Sequence, residues 1–484
     1  MPLRDRDLSP TVSPGTPTTS LRERALEVLL APELAHVVAL VCWQDGDSVV
    51  VADSRGRSAL AADGTTTLLE GADPVADQDP YSDADRCYPL AGVRLHGLFA
   101  GATELGRAPD LAVVHTGDHD FRDHGGHVGE HGSLNGLQSR APLLLSGAGV
   151  SARGVLDRFC RTVDVGATLA HLSGGDLTDL EGTPLPEAVP GAKHVVGLLW
   201  DGAPCAEVLA LAASGDLPNV ARLLARGCAF RGGAVAEFPS VTLVNHTCAL
   251  TGVGPGRHGI VNNAYYDRMA GTQVVPNSHA TWHEAMQHLR PGIRTVWERL
   301  PEGAASACVN EPCDTGATYS TFGLIRAAHG GGTGSLVTSL PDAAGDPHAT
   351  AAHVEQTDYA WGTQIDAVGL EQVLGLWREG EPPLLTWWNT TLTDGAHHVA
   401  GPGTPMARDA LRDADRRLGA FLDLLDARGL TDDVTVLLTA DHGMQGSVPG
   451  VVGDWDAALT AAGIPFRDEA NGFLYLGDDV VGGA

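Results

Sequence analysis

The chain has 484 residues, with 31 Lys and Arg against 60 Asp and Glu, a formal charge of −29, and 43% hydrophobic residues. That acidity argues against a broad electrostatic face for nucleic-acid polymers or anionic membranes. It leaves room for a small phosphate ester held by cations, because a bound ion outweighs distant surface charge.

Residues 1–20, with Ser9-Pro10, Ser13-Pro14 and Thr16-Pro17, are too rich in Pro, Ser and Thr to pack and read as a disordered arm. A helix is predicted over Leu21–Leu30, strands over His36–Cys42 and Ser48–Ala52, and an acidic loop over Asp73–Asp85. A strand over Leu111–His115 leads into a polar, histidine-rich loop from Thr116 to Gly136, then a strand over Pro142–Ser146 and a helix over Val163–Leu172. Gly174–Gly191, with paired glycines and two proline turns, reads as a linker. After it come a buried strand (His194–Trp200), a helix (Leu217–Arg226) stopped by Gly227, and a helix from Val241 to Leu250. They are followed by a strand (Pro383–Trp388), a long amphipathic helix (Pro405–Arg428), a strand (Val434–Thr439), a helix (Asp454–Ala462) and a last strand (Phe473–Leu476). This alternation predicts an α/β fold, a mostly parallel sheet sandwiched between helices, with residues 268–382 inserted as a cap.

No run reaches ~18 apolar residues and the N-terminus has no apolar signal-peptide core, so the expected compartment is the cytoplasm. The eight cysteines form no CxxC pair and read as buried free thiols, Cys308 and Cys313 being the one close pair that could bridge a loop. Gly330-Gly331-Gly332-Thr333-Gly334-Ser335 lacks a Lys-[ST] ending and a preceding strand, and reads as a loop rather than a phosphate-binding P-loop.

Chemistry-bearing residues cluster just past strand ends, where sites of open α/β sheets form. Asp201 follows one strand, Asp394 and His398 (spacing D-x3-H) follow a second, and Asp441 and His442 follow a third. Mixed carboxylate and imidazole ligation suits Zn²⁺, with Mn²⁺ or Fe²⁺ as weaker options. Each Asp alone would more often cap a helix; three such positions with two histidines argue for a metal centre. Thr242, where a loop turns into a helix, is either an N-cap or a nucleophile beside the free N–H groups of the helix start.

The stretches VVGLLWDG from Val195, LPNVARLLARG from Leu217, FPSVTLVNHTCALTG from Phe238, PGRHGIVNN from Pro255, DGAHHVAGP from Asp394 and TADHGM from Thr439 are together highly specific. Over His194–Asp267 and Trp387–Ser447 the chain resembles the nucleotide pyrophosphatase/phosphodiesterase branch of the alkaline phosphatase superfamily. The resemblance implies that Asp201, Thr242, Asp441 and His442 hold one zinc, with Thr242 as nucleophile through a phosphothreonine. It implies that Asp394 and His398 hold the other zinc and that Asn263 hydrogen-bonds a phosphate oxygen. His397 falls outside the D-x3-H spacing and reads as a neighbour; Asn245 and His246 read as bracing the helix start.

The resemblance also implies one more histidine, in an H-G-[ST] motif downstream, yet no histidine follows Gly443. The motif stands upstream instead, as Glu130-His131-Gly132-Ser133, between PDLAVV (from Pro109) and SRAPLLLSGAGV (from Ser139), with TVDVGATLAHLSG (from Thr162) resembling the family's closing helix. The economical expectation is a circular permutation. Residues 21–174 are the usual C-terminal part placed first, 175–193 join the usual termini, and 194–484 are the usual N-terminal part. His131 then completes the second zinc site, in preference to His127, because it alone carries the following Gly-Ser. His115, His119 and His124 read as part of a solvated or loosely metal-binding loop. A rival is a truncated chain carrying the tail of a lost upstream module, which would swap domains or stay inactive. The expected activity is hydrolysis of a small phosphodiester, with phosphonate or phosphomonoester hydrolysis as chemical alternatives and a non-catalytic phosphatase-like binding protein as the alternative of another class. The oligomeric state is left open.

Overall fold

Among the described residues, the apolar runs of the sequence become strands of two large sheets and three small ones in the computed structural model. It describes residues 20–481 apart from 77–78, 80, 84–85, 121–126, 279–280 and 329–350. The arm expected up to residue 20 (Ser20 itself excepted), His124 and the Gly330–Ser335 loop lie outside the described residues.

The first part of the chain forms α1 (Leu21–Leu29), β1 (Val38–Asp45), β2 (Ser48–Asp53), β3 (Gly56–Leu60), β4 (Thr66–Gly71), α2 (Ala91–Phe99), β5 (Leu111–His115), β6 (Leu143–Gly147), β7 (Gly154–Leu156) and α3 (Thr162–Leu172). The middle forms β8 (His194–Trp200), α4 (Cys205–Ser214), α5 (Pro218–Ala225), β9 (Gly227–Phe230), α6 (Thr242–Thr251), β10 (Ser306–Val309), β11 (Tyr319–Ser320) and α7 (Ala351–Arg378). The last part forms β12 (Leu385–Thr390), α8 (Leu392–Ala400), α9 (Pro405–Arg428), β13 (Val434–Thr439), α10 (Trp455–Ala461), β14 (Phe466–Glu469) and β15 (Phe473–Leu476). Local chemistry sets several of these boundaries. At α1, Ser20 and Glu23 form a reciprocal capping box. At α9, Thr404 caps ahead of Pro405, and Gly429 ends the helix in the left-handed region.

The central sheet runs β11-β10-β12-β8-β13-β6-β9-β7. From β11 to β13 neighbours are parallel; β6 is antiparallel to both β13 and β9. All residues of β8 are buried, so both faces of the sheet are covered at its centre, as a parallel sheet requires. The region 268–382, expected as one inserted cap, is divided. Its β10 and β11 extend the central sheet, and α7 lies beside β12, where Trp377 donates from Nε1 to Thr386 Oγ1 at 3.1 Å.

The second sheet runs β14-β15-β5-β1-β2-β3-β4. It joins the two ends of the described chain: Phe473 and Leu474 of β15 face Ala112 and Leu111 of β5 in antiparallel register. Ala25, Leu26 and Leu29 of α1 share a hydrophobic cluster with Trp455, Leu459, Ile464 and Leu474. Arg24 donates to the carbonyls of Ala462 and Gly463 at 2.9 and 3.2 Å. Farther along, α3 buttresses α6. Val163 packs with Val241, Val244 and Cys248, and a Cβ on Gly166 would sit 2.8 Å from Ala249 O, so only glycine lets the two helices meet. The stretch read as a linker is a tied strap: the N–H groups of Glu181 and Gly182 donate to Gly252 O, and that of Val189 to Gly149 O. All eight cysteines are buried and unpaired, so Cys308 and Cys313 form no bridge. Among the described residues no single helix is long and apolar enough to cross a membrane.

Candidate active site

Three carboxylates meet at the C-terminal ends of the adjacent parallel strands β12, β8 and β13. Asp201 follows β8 directly, Asp394 lies in the first turn of α8 after β12, and Asp441 follows β13. Gly202 makes their convergence possible. It turns the chain at φ +65°, and a Cβ there would sit 2.6 Å from Asp394 Oδ1. Its N–H donates to Asp441 Oδ1 at 3.0 Å.

Three imidazoles point Nε2 at these carboxylates while Nδ1 rests on a backbone carbonyl, the arrangement that fixes tautomer and orientation for a metal ligand. His442 Nδ1 lies 2.9 Å from Gly443 O, and its Nε2 lies 3.0 Å from Asp441 Oδ2 and 3.8 Å from Asp201 Oδ1. His398, four residues after Asp394 on the same face of α8, has Nδ1 2.7 Å from Gly129 O and Nε2 3.4 Å from Asp394 Oδ2. His131 has Nδ1 3.0 Å from Ser240 O and Nε2 4.0 Å from Asp394 Oδ1. Its segment is clamped to the approach of α6: Gly132 N–H donates to Ser240 Oγ at 3.2 Å, and the Ser240 hydroxyl donates to Ser133 O at 2.7 Å.

Thr242 is the first residue of α6, and Val241 occupies the cap position without a side-chain cap bond. The reading of Thr242 as an N-cap therefore does not hold. Its Oγ1 lies 3.4 Å from His442 Nε2, at a helix N-terminus whose partial positive charge suits an anion. Asn263 stands at the same place, its Oδ1 accepting the Leu243 N–H at 3.3 Å. The Asn262-Asn263 turn is tied down by Asn471, whose Nδ2 donates to Asn262 Oδ1 at 3.1 Å.

The donor set fits divalent cations. Asp201 Oδ1, Asp394 Oδ1 and Asp441 Oδ2 are buried without a hydrogen-bond partner, a costly state unless a cation completes it. Asp201, Asp441 and His442 lie close enough to hold one ion, and so do His131, Asp394 and His442. A third group, His127, Glu130 and His398, also qualifies. Without cations, protons take their place. Burial, with Asp441 and Asp394 beside it, pushes Asp201 up to about 8. Burial opposes charging His442 and His398, but Asp441 raises the first to about 9 and Asp394 the second to about 10. Burial, reinforced by His442 and His398, lowers His131 to about 3.

Two neighbours of the helix start divide. Asn245 braces it as expected, accepting the Glu237 N–H at 2.7 Å and donating to Pro239 O and Val241 O at 3.1 Å each. His246 does not. Its Nδ1 donates to Glu311 Oε2 at 2.8 Å and its Nε2 lies 3.6 Å from both Asp201 Oδ2 and Asp441 Oδ2, so it backs the carboxylates instead. Glu311 also accepts from Trp387 Nε1 at 3.0 Å. Neither Glu311 nor Gly202 carries a sequence signal for these contacts, since each acts only through folded proximity. His397 faces away, Nδ1 toward Thr393 O and Nε2 3.8 Å from Glu207. His115 and His119 are buried rather than solvated, and His119 stacks on Trp455.

Comparison with known proteins identifies the family. The family model described as type I phosphodiesterase / nucleotide pyrophosphatase matches residues 195–477, more than half of the chain. The chain is 24% identical to an uncharacterized pyrophosphatase/phosphodiesterase of Schizosaccharomyces pombe, over 43% of this chain and 37% of that protein. It is 24% identical to human ectonucleotide pyrophosphatase/phosphodiesterase family member 7, over 47% and 44%. It thus spans less than half the length of these curated relatives. Among solved structures, murine ectonucleotide pyrophosphatase/phosphodiesterase 5, in an inactive form in complex with AMP, matches at TM-score 0.32 and 18% identity, over 52% of this chain and 57% of that one. Phosphonoacetate hydrolase from Sinorhizobium meliloti, in complex with phosphonoformate, matches at TM-score 0.33 and 23% identity, over 54% and 59%. By the family match and the motifs that carry it, the chain belongs to the type I phosphodiesterase / nucleotide pyrophosphatase family, in the nucleotide pyrophosphatase/phosphodiesterase branch of the alkaline phosphatase superfamily.

Proposed function

We propose that the protein hydrolyses small phosphodiesters, with Thr242 as nucleophile. The observation that carries this reading is the Thr242 hydroxyl at a helix N-terminus, 3.4 Å from His442 Nε2 and beside three buried carboxylates with unpartnered oxygens. Asp201, Asp441 and His442, with Thr242, would hold one zinc; Asp394, His398 and His131 would hold the other. When bound, the two ions neutralise phosphate charge and acidify the threonine hydroxyl.

The chain's own residues supply the positioning on which phosphoryl transfer depends. Thr242 Oγ1 forms a bond to phosphorus as the alcohol leaves on the opposite side, giving a phosphothreonine. Water then attacks from the vacated side and returns the threonine. The Thr242 N–H and Asn263 orient the non-bridging oxygens.

We further propose that the chain order is a circular permutation, with His131 supplied from the part that precedes the strap. Support comes from the antiparallel pairing of β15 with β5 and from α1 packing beside α10. Turnover of bis-p-nitrophenyl phosphate against p-nitrophenyl phosphate and a phosphonate, with and without chelator, tests the activity. Chelator-sensitive diester turnover that is lost in Thr242→Ala is expected. Preference for the monoester or phosphonate would reassign the substrate, and absence of turnover in zinc-loaded protein would favour a binding role. Light scattering on the active species tests the chain order: an active monomer is expected, whereas activity confined to a swapped oligomer would contradict it.

A further inference from the structure

The segment leading to His131 carries donors that the proposed centre leaves unused. Glu130 is only 6% exposed, and its Oε1 has no hydrogen-bond partner. His127 Nδ1, likewise without one, lies 3.3 Å from that oxygen. The His127 ring lies against His398, centroids 4.3 Å apart. One donor atom from each of His127, Glu130 and His398 falls within 4.8 Å of the others.

The backbone holds this cluster in place. Val128 N–H donates to His398 O at 2.8 Å, and the Ser447 hydroxyl donates to His127 O at 3.0 Å. Gly129 and Glu130 pair with Gly446 and Gln445. A Cβ on Gly129 would sit 2.2 Å from His397 O, so glycine is required for the segment to lie against α8. The buried carboxylate is held against the imidazoles of His127 and His398, and a divalent cation can take the place of the protons that those rings carry. Two imidazoles and one carboxylate are a donor set for zinc and its first-row neighbours.

We propose that His127, Glu130 and His398 form a third divalent-cation position beside the two of the active centre. The inference rests on the two-metal reading above, because His398 belongs to both. Its Nε2 can serve only one ion at a time. The third ion therefore binds more weakly than the first two, and at excess it draws His398 from Asp394 and inhibits turnover.

Equilibrium dialysis of the metal-free full chain against Zn²⁺ tests this. The wild type is expected to take up two tight equivalents and a third weaker one. His127→Ala and Glu130→Gln should each lose the third equivalent, keep the first two, and lose inhibition of bis-p-nitrophenyl phosphate hydrolysis by excess zinc. Saturation of the wild type at two, or persistence of the third equivalent in both variants, would overturn the proposal. So would a variant left with one equivalent, which would make the pair part of the second position. A wild type that binds no zinc would overturn the two-metal reading itself.

Discussion

The imidazole of His131 stacks on that of His442, ring centroids 3.7 Å apart and planes 14° apart. One ring comes from the loop after β5, the other from the end of β13, and each has its Nδ1 on a backbone carbonyl. Two buried imidazoles in face-to-face contact would repel if both were protonated. Burial and that neighbour keep His131 neutral at ordinary pH, leaving its Nε2 lone pair available to an ion beside Asp394.

Gly202→Ala tests the space in which the carboxylates meet. The left-handed turn costs a non-glycine residue about 1–2 kcal/mol. The added methyl would also press on Asp394 Oδ1, 2.6 Å from the ideal Cβ position. Reduced thermal stability and a fall in turnover on the order of 100-fold are expected, since misplacing a catalytic group by about 1 Å has that effect. Unchanged turnover would show that Asp394 has slack the packing does not suggest.

Glu311→Gln tests the bracket behind the first ion. His246 bridges Glu311 to Asp201 and Asp441. Burial disfavours the imidazolium, but Glu311 and Asp201 hold its pKa well above the ordinary value. Removing an outer partner of this kind weakens metal binding about 10–100-fold. Zinc affinity, measured by chelator competition, should fall in that range in Glu311→Gln. Glu311→Ala, which breaks a buried pair outright, should also destabilise the fold by about 3–5 kcal/mol. Wild-type zinc affinity in Glu311→Gln would make the contact purely structural.

Chelation should change how stability responds to pH. In the metal-free protein Asp201, His442 and His398 hold protons up to about 8, 9 and 10. The unfolded chain releases the same protons near about 3.9 for Asp and 6.5 for His. The folded state therefore binds more protons over this window. The imidazole contribution is complete below about pH 6.5, and stability falls as pH rises through the folded values. Thermal melts of chelated protein should drop between about pH 6.5 and 10. Zinc-saturated protein, its donors already deprotonated, should not share that decline. Parallel curves for the two forms would contradict the assignment of these groups as ligands.

Much of the central sheet was legible because buried parallel strands leave unmistakable apolar runs: His194–Trp200 and Val434–Thr439 occupy the spans expected of them. The long helix likewise fills Pro405–Arg428, the span expected of it. The β3–β4 hairpin was not legible. Every residue of β4 is exposed, so no alternation of burial marks it, and pairing with β3 alone makes it a strand. Asp201, Asp394, His398, Asp441 and His442 stood out because each is a charged or imidazole group past an apolar strand, whereas Thr242 and His131 were picked out by the family resemblance. Gly202, His246 and Glu311 did not. Their parts depend on a missing Cβ, a ring direction and a distant carboxylate, and none of these is a property of local sequence.

The most direct test of the account is the zinc content of His131→Ala at saturation in the active centre, read together with diester turnover. Loss of one of the two tight equivalents and of most activity, with the fold intact by circular dichroism, is the result predicted if His131 completes the second position. Two tight equivalents retained in His131→Ala would contradict it, and with it the proposed placing of the N-terminal part as the missing piece of the site.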